Sequence, residues 1–311
     1  MKQLLISVII PCYNEQDNIL PMYERIKKVF KSLPYGYEMI FVDNDSIDQS
    51  EKIFTKLAKR DKNVKVILMS RNFGSPQPSF IAGLDYSKGY AAVLLHGDIQ
   101  DPPELIPEFI KKWNEGYDVV YGIRKDRKGY GLVMNFFYKF FYFLLRKLSY
   151  ISIPLNAGEF SIMDRKVIKE LLKIEEYDYY LRCLRAFVGF KQIGIEYQRE
   201  AREQGKSTES FWSGLWWAKT IIINFSFKPL EWISQLAFIM VVAAFISIIG
   251  FLIYYYFNPD SPRGIPTLFI LILFLGGIQL LSISVIAEYL AKIFLEVKRR
   301  PKYIIRKTLN F

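Results

Sequence analysis

Short apolar runs alternate with amphipathic stretches over the first part of the chain. The apolar runs, rich in Val, Ile and Leu, occupy residues 4–10, 38–42, 64–69, 91–95 and 118–121. Residues 19–30 and 49–60, which lie between them, have the mixed polar and apolar pattern of surface helices. Runs of strand length separated by helical stretches are typical of a parallel sheet with crossover helices. The pattern therefore predicts an α/β domain.

Two long apolar segments follow near the end of the chain. Residues 232–257 carry no charged side chain, and residues 266–290 carry only Glu288. A helix of about 25 residues is roughly 37 Å long, which exceeds the roughly 30 Å hydrocarbon core of a bilayer. A buried hairpin of a soluble protein is the alternative, but soluble helices rarely lack a polar face over such a length. The pattern predicts two transmembrane helices.

Basic side chains are distributed unevenly around these segments. After the second segment come Lys292, Lys298, Arg299, Arg300, Lys302, Arg306 and Lys307. The loop between the segments has Arg263 alone. By the positive-inside rule, both termini and the whole first part of the chain lie in the cytoplasm. We expect a multi-pass integral membrane protein, in the inner membrane if the source is bacterial, whose basic tail contacts anionic membrane lipids.

Composition and charge narrow the class of partner. The 311 residues carry a formal net charge of +11, which indicates an anionic partner. Because much of the basic excess flanks the apolar segments, we expect phosphorylated small molecules and lipid headgroups and no nucleic acid. The two cysteines, Cys12 and Cys183, make neither a metal quartet nor a disulfide framework, and buried thiols in a reducing compartment fit them best.

The predicted domain boundaries follow these changes in composition. We expect a cytoplasmic domain at residues 1–228, two transmembrane helices within residues 229–291 and a basic tail at residues 292–311. Residues 130–151 and 211–228 mix aromatic side chains with Lys and Arg, as do helices that lie in the membrane interface. Ordinary core helices are the alternative for these two stretches.

Polar clusters follow the predicted strands. They occupy residues 11–15, 43–46, 70–74 and 96–98. Ligands of parallel sheets bind outside the carboxyl ends of the strands, where these clusters would gather. Each cluster alone is a weak signal, since a carboxylate such as Asp48 or Asp101 can simply cap a helix. Together they predict the site region.

The sequence motifs resemble those of a known family. They include V-I-I-P-C-Y-N-E at 8–15, F-V-D-N at 41–44, S-R-N-F-G at 70–74, G-D-I-Q-D-P-P-E at 97–104, R-E-A-R at 199–202 and F-L-G-G-I-Q-L at 274–280. In this order they resemble glycosyltransferase family 2, and more narrowly the polyprenyl-phosphate glycosyltransferases similar to dolichol-phosphate mannose synthase and bactoprenol glucosyltransferase. The resemblance covers nearly the whole chain. It implies a Rossmann-like GT-A fold and a nucleoside-diphosphate sugar donor.

The resemblance also implies roles for donor-binding residues. Pro11, Tyr13, Glu15 and Asp43 would hold the nucleoside, because an aromatic ring can cover a base while carboxylates accept its N–H donors and the ribose hydroxyls. Arg124 would clamp a phosphate through two parallel hydrogen bonds.

Further positions would bind a metal and the acceptor. Asp98, with Gln100 beside it, would bind Mg or Mn that bridges the diphosphate, since hard cations prefer oxygen ligands. Arg199, Arg202 and Lys206 would bind the phosphate of a lipid acceptor, because they directly precede the membrane segments. Solvated surface charge is the alternative reading for each basic residue.

The implied chemistry is an in-line displacement at the anomeric carbon by a phosphate oxygen, with inversion. That nucleophile is already ionised near neutral pH, so positioning and charge neutralisation matter more than a strong base. We expect Asp98 and Glu159 to contribute to catalysis. Glu159 stands where relatives carry a functionally important Asp, and it would orient the acceptor or a metal-bound group.

Four positions depart from the family pattern. His96, the only histidine, replaces the first Asp of a D-A-D motif, where it would either ligate Mn or have a structural role. Asp45 replaces a Gly, which a left-handed Asp would tolerate. Ser-Pro-Gln-Pro at 75–78 replaces a different helix start, and Glu159 is one methylene longer than Asp. These departures indicate an altered donor preference or, alternatively, a catalytically degenerate scaffold that binds lipid or nucleotide-sugar.

The sequence thus predicts a hexosyltransferase. It would move a hexose from UDP-glucose or a related donor to undecaprenyl phosphate, for glycosylation beyond the membrane with a flippase partner. The dipeptide Gly276-Gly277 would allow close helix approach in a homo-oligomer. A processive polysaccharide synthase is a weaker alternative, because two spans make a poor translocation channel.

Overall fold

The computed structural model describes residues 4–125, 154, 157–177, 179–199, 223, 226, 228–257 and 264–311. The two expected interfacial stretches fall almost wholly outside these residues, and Arg202 and Lys206 lie outside them as well. The chain forms two compact units. The first comprises residues 1–142, 151–208 and 300–311, and the second comprises residues 143–150 and 209–299.

The first unit contains an eight-stranded mixed sheet in its described part. The strands are β1 Leu5–Cys12, β2 Gly36–Asp43, β3 Val64–Met69, β4 Ala91–Leu94, β5 Val119–Arg124, β6 Ala157–Asp164, β7 Gln192–Tyr197 and β8 Ile305–Leu309. Their order is β7-β5-β6-β4-β1-β2-β3-β8. Strands β4, β1, β2 and β3 are parallel neighbours, whereas β6 and β8 run antiparallel to the strands they pair with. The expected α/β class is confirmed, with a mixed sheet in place of a purely parallel one.

Helices cover both faces of this sheet. They are α1 Ile19–Lys31, α2 Ser50–Arg60, α3 Gln77–Tyr86, α4 Ile106–Asn114, α5 Arg165–Leu172 and α6 Leu181–Phe187. Alternate β1 residues Ile6, Val8 and Ile10 share one buried core with α1, α2 and α4. Ile9 points to the other face, where a Cβ on Gly83 of α3 would lie 2.2 Å from the Ile9 Cγ2 atom. Glycine at position 83 therefore lets α3 lie close against β1.

The last residues of the chain are part of this sheet. We expected a basic tail over residues 292–311, but residues 292–298 continue a helix and β8 pairs antiparallel with β3. The side-chain amide of Asn310 donates to the carbonyls of Ala58 and Val64, the latter at 2.8 Å. The ring of Phe311 packs edge-on against Tyr86 with centroids 5.2 Å apart. This basic segment forms a strand because β3 offers it backbone hydrogen bonds. The basic residues of the segment do not reveal that pairing.

The second unit contains two long helices. They are α7 Lys228–Phe257 and α8 Ile265–Lys298, which extend beyond the predicted segments at residues 232–257 and 266–290. Lys228–Ser247 of α7 and Phe274–Lys298 of α8 are long and apolar enough to cross a membrane, and neither window is buried inside the structure. Their apolar side chains therefore face outward, as lipid-facing side chains do.

Candidate functional site

The loops that follow β1 and β2 are joined by hydrogen bonds from backbone N–H groups of each loop to polar side chains of the other. The Ser46 hydroxyl donates to the Asp43 carboxylate at 2.5 Å, and its oxygen accepts the backbone N–H of Asn14 at 2.9 Å. The Asn14 side chain in turn accepts the Ile47 N–H at 2.9 Å. Asn14 and Asp45 have φ values of 54° and 61°. The left-handed conformation expected for Asp45 is confirmed, and it lets this loop turn back toward β1.

The predicted nucleoside-binding residues lie at this joined edge. Pro11 is the second-to-last residue of β1, and Tyr13, which directly follows the strand, is 43% exposed. Asp43 ends β2 and is buried, and burial raises the pKa of its carboxyl although the hydrogen bonds from Ser46 partly offset this. The Glu15 carboxylate accepts a hydrogen bond from Asn18. The structure thus brings an exposed aromatic ring and a buried carboxylate to neighbouring strand ends.

A third loop is held against the same edge. The side-chain amide of Asn44 donates to the Asn72 side chain at 3.1 Å, and its oxygen accepts the Phe73 N–H at 3.1 Å. The guanidinium of Arg71 lies 4.3 Å from the centroid of the Phe73 ring. Asn44 therefore fixes the loop at residues 70–74, which leads into α3.

Beyond β4, two carboxylates meet two guanidinium groups. Asp98 Oδ2 lies 3.6 Å from Arg199 Nη2, and the buried Asp101 has its Oδ1 3.4 Å from Arg199 Nε and its Oδ2 3.9 Å from Arg124 Nη2. The Tyr197 hydroxyl donates to Asp101 Oδ1 at 2.5 Å, while Asp101 Oδ2 has no hydrogen-bond partner in the described structure. Burial lowers the pKa of Arg124, but Asp101, Tyr197 and Glu159 together outweigh burial and leave that pKa raised. This cluster brings together three residues that were predicted for separate roles, Asp98, Arg124 and Arg199.

The side chains available as metal ligands in this region determine whether a divalent metal can bind there. Among the described residues, no group of three or more His, Cys, Asp and Glu side chains is arranged to hold a metal. Asp98 and Gln100 offer oxygen ligands at the end of β4, and the Gln100 N–H lies 3.3 Å from Asp98 Oδ1. Mg and Mn commonly take one or two protein carboxylates and complete their shell with substrate phosphates and water. The residues present fit a metal held in that way.

A third cluster joins β4, β6 and α3. The Gln77 side-chain amide donates to Glu159 Oε1 at 3.1 Å, and Glu159 Oε2 lies 3.4 Å from His96 Nε2. Burial lowers the pKa of His96, but the hydrogen bond and the charge of Glu159 outweigh burial and raise it. Burial likewise raises the pKa of Glu159, and His96 brings it well below its usual range. Glu159 is thus ionised beside His96, which has its Nε2 directed at this carboxylate.

This cluster contains residues from three of the four departures noted in the sequence. His96, Glu159 and the 75–78 segment that contains Gln77 are far apart along the chain. From the sequence, His96 was expected to be either a metal ligand or a structural residue. In the structure, its Nε2 lies 3.4 Å from the Glu159 carboxylate. Gln77 was missed as an individual residue, since nothing in a Ser-Pro-Gln-Pro segment indicates which side chain turns inward.

The residue between Asp98 and Gln100 has a strained backbone. Ile99 has a φ of 60°, a conformation that β-branched residues rarely adopt. Strain of this kind costs of order 1–3 kcal/mol and is concentrated at functional sites. Just before it, Gly97 approaches β1 so closely that a Cβ would lie 2.8 Å from the Pro11 carbonyl oxygen. The loop that carries Asp98 is therefore held in one particular shape against β1.

Two further buried residues support the site and were missed in the sequence. Asp101 was considered only as a helix cap, yet it is fully buried and bonded to Tyr197. Arg185 of α6 is buried, donates to the Gly158 carbonyl at 3.2 Å and lies 4.9 Å from the Tyr121 ring. Burial lowers the pKa of Arg185 to about 10. Arg185 fixes the β6 backbone directly before Glu159, a role that only the fold reveals.

Comparison with known proteins identifies the family. Residues 7–172, which include the polar ends of β1, β2 and β4, match the family described as Glycosyl transferase family 2. The chain belongs to glycosyl transferase family 2. This glycosyltransferase is 38% identical to an uncharacterized glycosyltransferase of Synechocystis sp., over 96% of its own chain and 94% of the relative. It is 35% identical to the bactoprenol glucosyl transferase of Shigella phage SfII, over 97% of its chain and 98% of that protein.

Solved structures similar to this glycosyltransferase are more distant. The mannosyl-3-phosphoglycerate synthase from Rubrobacter xylanophilus is 16% identical, with a TM-score of 0.45 over 75% of each chain. The glucosyl-3-phosphoglycerate synthase from Mycobacterium tuberculosis, in complex with Mn²⁺, UDP-glucose and phosphoglyceric acid, is also 16% identical. Its TM-score is 0.45, over 71% of this chain and 78% of that chain.

Proposed function

We propose that this glycosyltransferase moves a hexose from UDP-glucose or a related UDP-hexose to undecaprenyl phosphate, with inversion at the anomeric carbon. The observation that carries the proposal is a match over the whole length. Bactoprenol glucosyl transferases of three Shigella phages are 34–35% identical over 97% of this chain, a span that includes the two apolar helices as well as the sheet. A lipid acceptor also suits a chain that carries two such helices in addition to a glycosyltransferase domain.

The donor would occupy the carboxyl ends of β1, β2 and β4. Tyr13 would cover the base, and Pro11, Glu15 and Asp43 would hold the nucleoside. Arg124 would bind a phosphate of the diphosphate. Its guanidinium lies 3.9 Å from the Asp101 carboxylate, which would hold it in place for that role. A site that is fixed before the donor arrives loses less energy in reorganising around the developing charge.

Asp98 and Gln100 would hold the divalent metal at the end of β4. When bound, the metal supplies positive charge that neutralises the leaving diphosphate. Arg199 lies 3.6 Å from Asp98 and would bind the acceptor phosphate there. Because that phosphate is already ionised, the side chains need to align it with the anomeric carbon and do not need to remove a proton.

The experiment uses purified protein in detergent with undecaprenyl phosphate, Mn or Mg, and a panel of UDP- and GDP-sugars. Release of nucleoside diphosphate and formation of glycolipid are both measured, with Asp98→Ala as the inactive variant. Release that requires the lipid and disappears in Asp98→Ala supports the proposal and names the donor. Release without lipid, or lipid-dependent release that Asp98→Ala retains, contradicts it.

A non-catalytic scaffold is the second candidate, and His96 motivates it. A histidine replaces a carboxylate that the family motif has, and the described residues form no metal cluster of three. A scaffold would bind UDP-sugar and lipid without turning them over. Binding of both by a folded protein, with no turnover across the whole donor panel, would favour the scaffold.

A further inference from the structure

The orientation of the Gln77 amide is fixed by its two neighbours. Its oxygen accepts the backbone N–H of Leu181 at 3.0 Å, and its nitrogen donates to Glu159 Oε1 at 3.1 Å. A backbone N–H can only donate and an ionised carboxylate can only accept, so the reverse orientation would lose both hydrogen bonds. Gln77 is 6% exposed, which makes the loss of either bond costly. The amide therefore ties α6 to β6 through one defined geometry.

Helix α3 contacts His96 by a second route. Gln77 and Phe80 are three residues apart and so lie on one face of the helix. Gln77 reaches His96 through Glu159, while the buried Phe80 ring meets the imidazole edge-on with centroids 5.1 Å apart. The imidazole is held from two sides by one helical turn and by β6. Few orientations of the ring satisfy both contacts.

We infer that Gln77, Glu159 and His96 form one positioning unit that holds the imidazole of His96 at the sugar-bearing end of the donor. The inference rests on the proposed function for what the unit positions. Both carboxylate oxygens of Glu159 are engaged, one by Gln77 and one by His96. Glu159 is therefore a positioning residue, which acts through His96.

The location of the unit within the sheet separates it from nucleoside binding. The unit lies where β4 and β6 pair, whereas the nucleoside-binding residues lie at the ends of β1 and β2. Asp98 follows His96 by two residues, so the unit adjoins the diphosphate and the sugar. Loosening the unit should slow the chemical step and leave the affinity for the nucleotide nearly unchanged.

Substitutions at position 159 test whether geometry or charge matters. Glu159→Gln keeps the side-chain length and can still accept from Gln77 and donate to a neutral His96, so we expect kcat to fall less than about tenfold. Glu159→Asp keeps the charge but is one methylene shorter and cannot reach both partners, so we expect a fall of about 100-fold or more. The KM for the donor should change less than threefold in both variants.

Matched controls come from Glu108, which is exposed on α4. Glu108→Gln and Glu108→Asp make the same chemical changes away from the site and should leave kcat and the thermal unfolding midpoint unchanged. A Glu159→Asp protein that keeps the wild-type unfolding midpoint has lost positioning and not its fold. If Glu159→Asp is more active than Glu159→Gln, the carboxylate itself is required and the inference is wrong.

A spectroscopic measurement tests the unit without any turnover. His96 is the only histidine in the chain, so the protein purified without a histidine tag has one pair of imidazole ¹⁵N resonances. We expect Gln77→Ala and Glu159→Asp to shift this pair, and Glu108→Asp to leave it in place. If the imidazole resonances are the same in Gln77→Ala as in the wild type, the inference is wrong, whether or not the protein turns over any donor. Shifted resonances in a protein without turnover would retain the unit and reject the proposed function instead.

Discussion

At the scale of single residues, the buried Asp101 owes its one short hydrogen bond to Tyr197. Its Oδ1 accepts the Tyr197 hydroxyl at 2.5 Å, and its Oδ2 has no hydrogen-bond partner in the described structure. Burial and the charge of Asp101 together raise the pKa of Tyr197, so this hydroxyl remains a donor at every physiological pH. The side chains of Arg124 and Arg199 gather around the same carboxylate.

Tyr197→Phe should therefore destabilise the first unit. The substitution removes the hydroxyl but keeps the ring, which packs edge-on against Phe160 with centroids 5.7 Å apart. A buried carboxylate that loses its only short hydrogen bond costs about 1–3 kcal/mol. Thermal unfolding should show a lower midpoint for Tyr197→Phe. Tyr90→Phe, at an exposed tyrosine, is the control, and equal midpoints for the two variants would contradict the assignment.

Asp98→Asn should weaken metal dependence and slow turnover. The variant keeps the shape of the side chain and removes the only charged ligand that we propose for the metal. We expect kcat to fall about 100- to 1,000-fold and the Mn concentration for half-maximal activity to rise. Titrating Mn against turnover measures both effects, and Asp17→Asn, on an exposed aspartate, is the matched control. An unchanged Mn requirement would place the metal elsewhere.

At the scale of elements, Glu38 links three neighbouring strands. It is 3% exposed, accepts the Ser7 hydroxyl at 2.5 Å and lies 2.6 Å from the Lys65 ammonium. Ser7, Glu38 and Lys65 belong to β1, β2 and β3. Burial raises the pKa of Glu38, but the hydrogen bonds from Lys65, Ser7 and the Lys88 N–H outweigh burial and lower it.

This shift predicts how stability depends on pH. The folded-state pKa lies below the unfolded value of about 4.3, so the contribution of Glu38 is complete above the unfolded pKa and is lost as pH falls through the folded one. Glu38→Gln should cost about 1–3 kcal/mol at pH 7. The gap in unfolding midpoint between wild type and Glu38→Gln should narrow below pH 4. A gap that stays constant from pH 7 to pH 3 would exclude this role.

Elements with a strong local pattern could be predicted from the sequence, and the others could not. Strands β1 to β5 are nearly continuous apolar runs, and the predicted runs fall on them. Strand β6, Ala-Gly-Glu-Phe-Ser-Ile-Met-Asp, contains Gly and Glu, and β8, Ile-Arg-Lys-Thr-Leu, is largely polar. Both form because a neighbouring strand offers hydrogen bonds, which is information that a local window does not contain.

The sequence likewise predicts the site residues that lie in motifs at strand ends, and it does not predict the contacts between distant side chains. Tyr13, Asp43 and Asp98 stand in motifs at strand ends, and their location follows from the sheet. The contacts of Glu159 with Gln77 and His96 do not follow, because they join residues 82 and 63 positions apart along the chain. Long-range pairing of polar side chains depends on how α3 and β6 pack, and no spacing rule encodes that.

At the scale of the whole molecule, the sheet requires both ends of the described chain to lie on the same side of any membrane that α7 and α8 cross. Strand β1 near the N-terminus and β8 near the C-terminus belong to one sheet, while α7 and α8 come between them in the sequence. A chain that leaves one side of a membrane must cross it an even number of times to return. The two apolar helices are long and apolar enough for two crossings, and we propose that they make them.

Reporter fusions test this topology. By the positive-inside rule, we expect a C-terminal green fluorescent protein fusion to fluoresce and a C-terminal alkaline phosphatase fusion to be inactive. A phosphatase inserted between residues 258 and 263, in the segment that joins the helices, should be active. Active phosphatase at the C-terminus would place the sheet on the opposite side of the membrane.

The position of β8 also has a consequence for synthesis on the ribosome. Translation proceeds from the N-terminus, so β3 is made before the two apolar helices, and its partner β8 is made after them. Until then, the outer edge of β3 has backbone groups that β8 does not yet cover. The sheet is therefore completed only after both apolar helices have been synthesised. A chain that ends before residue 305 therefore leaves this edge of β3 open, where a strand of another chain can pair.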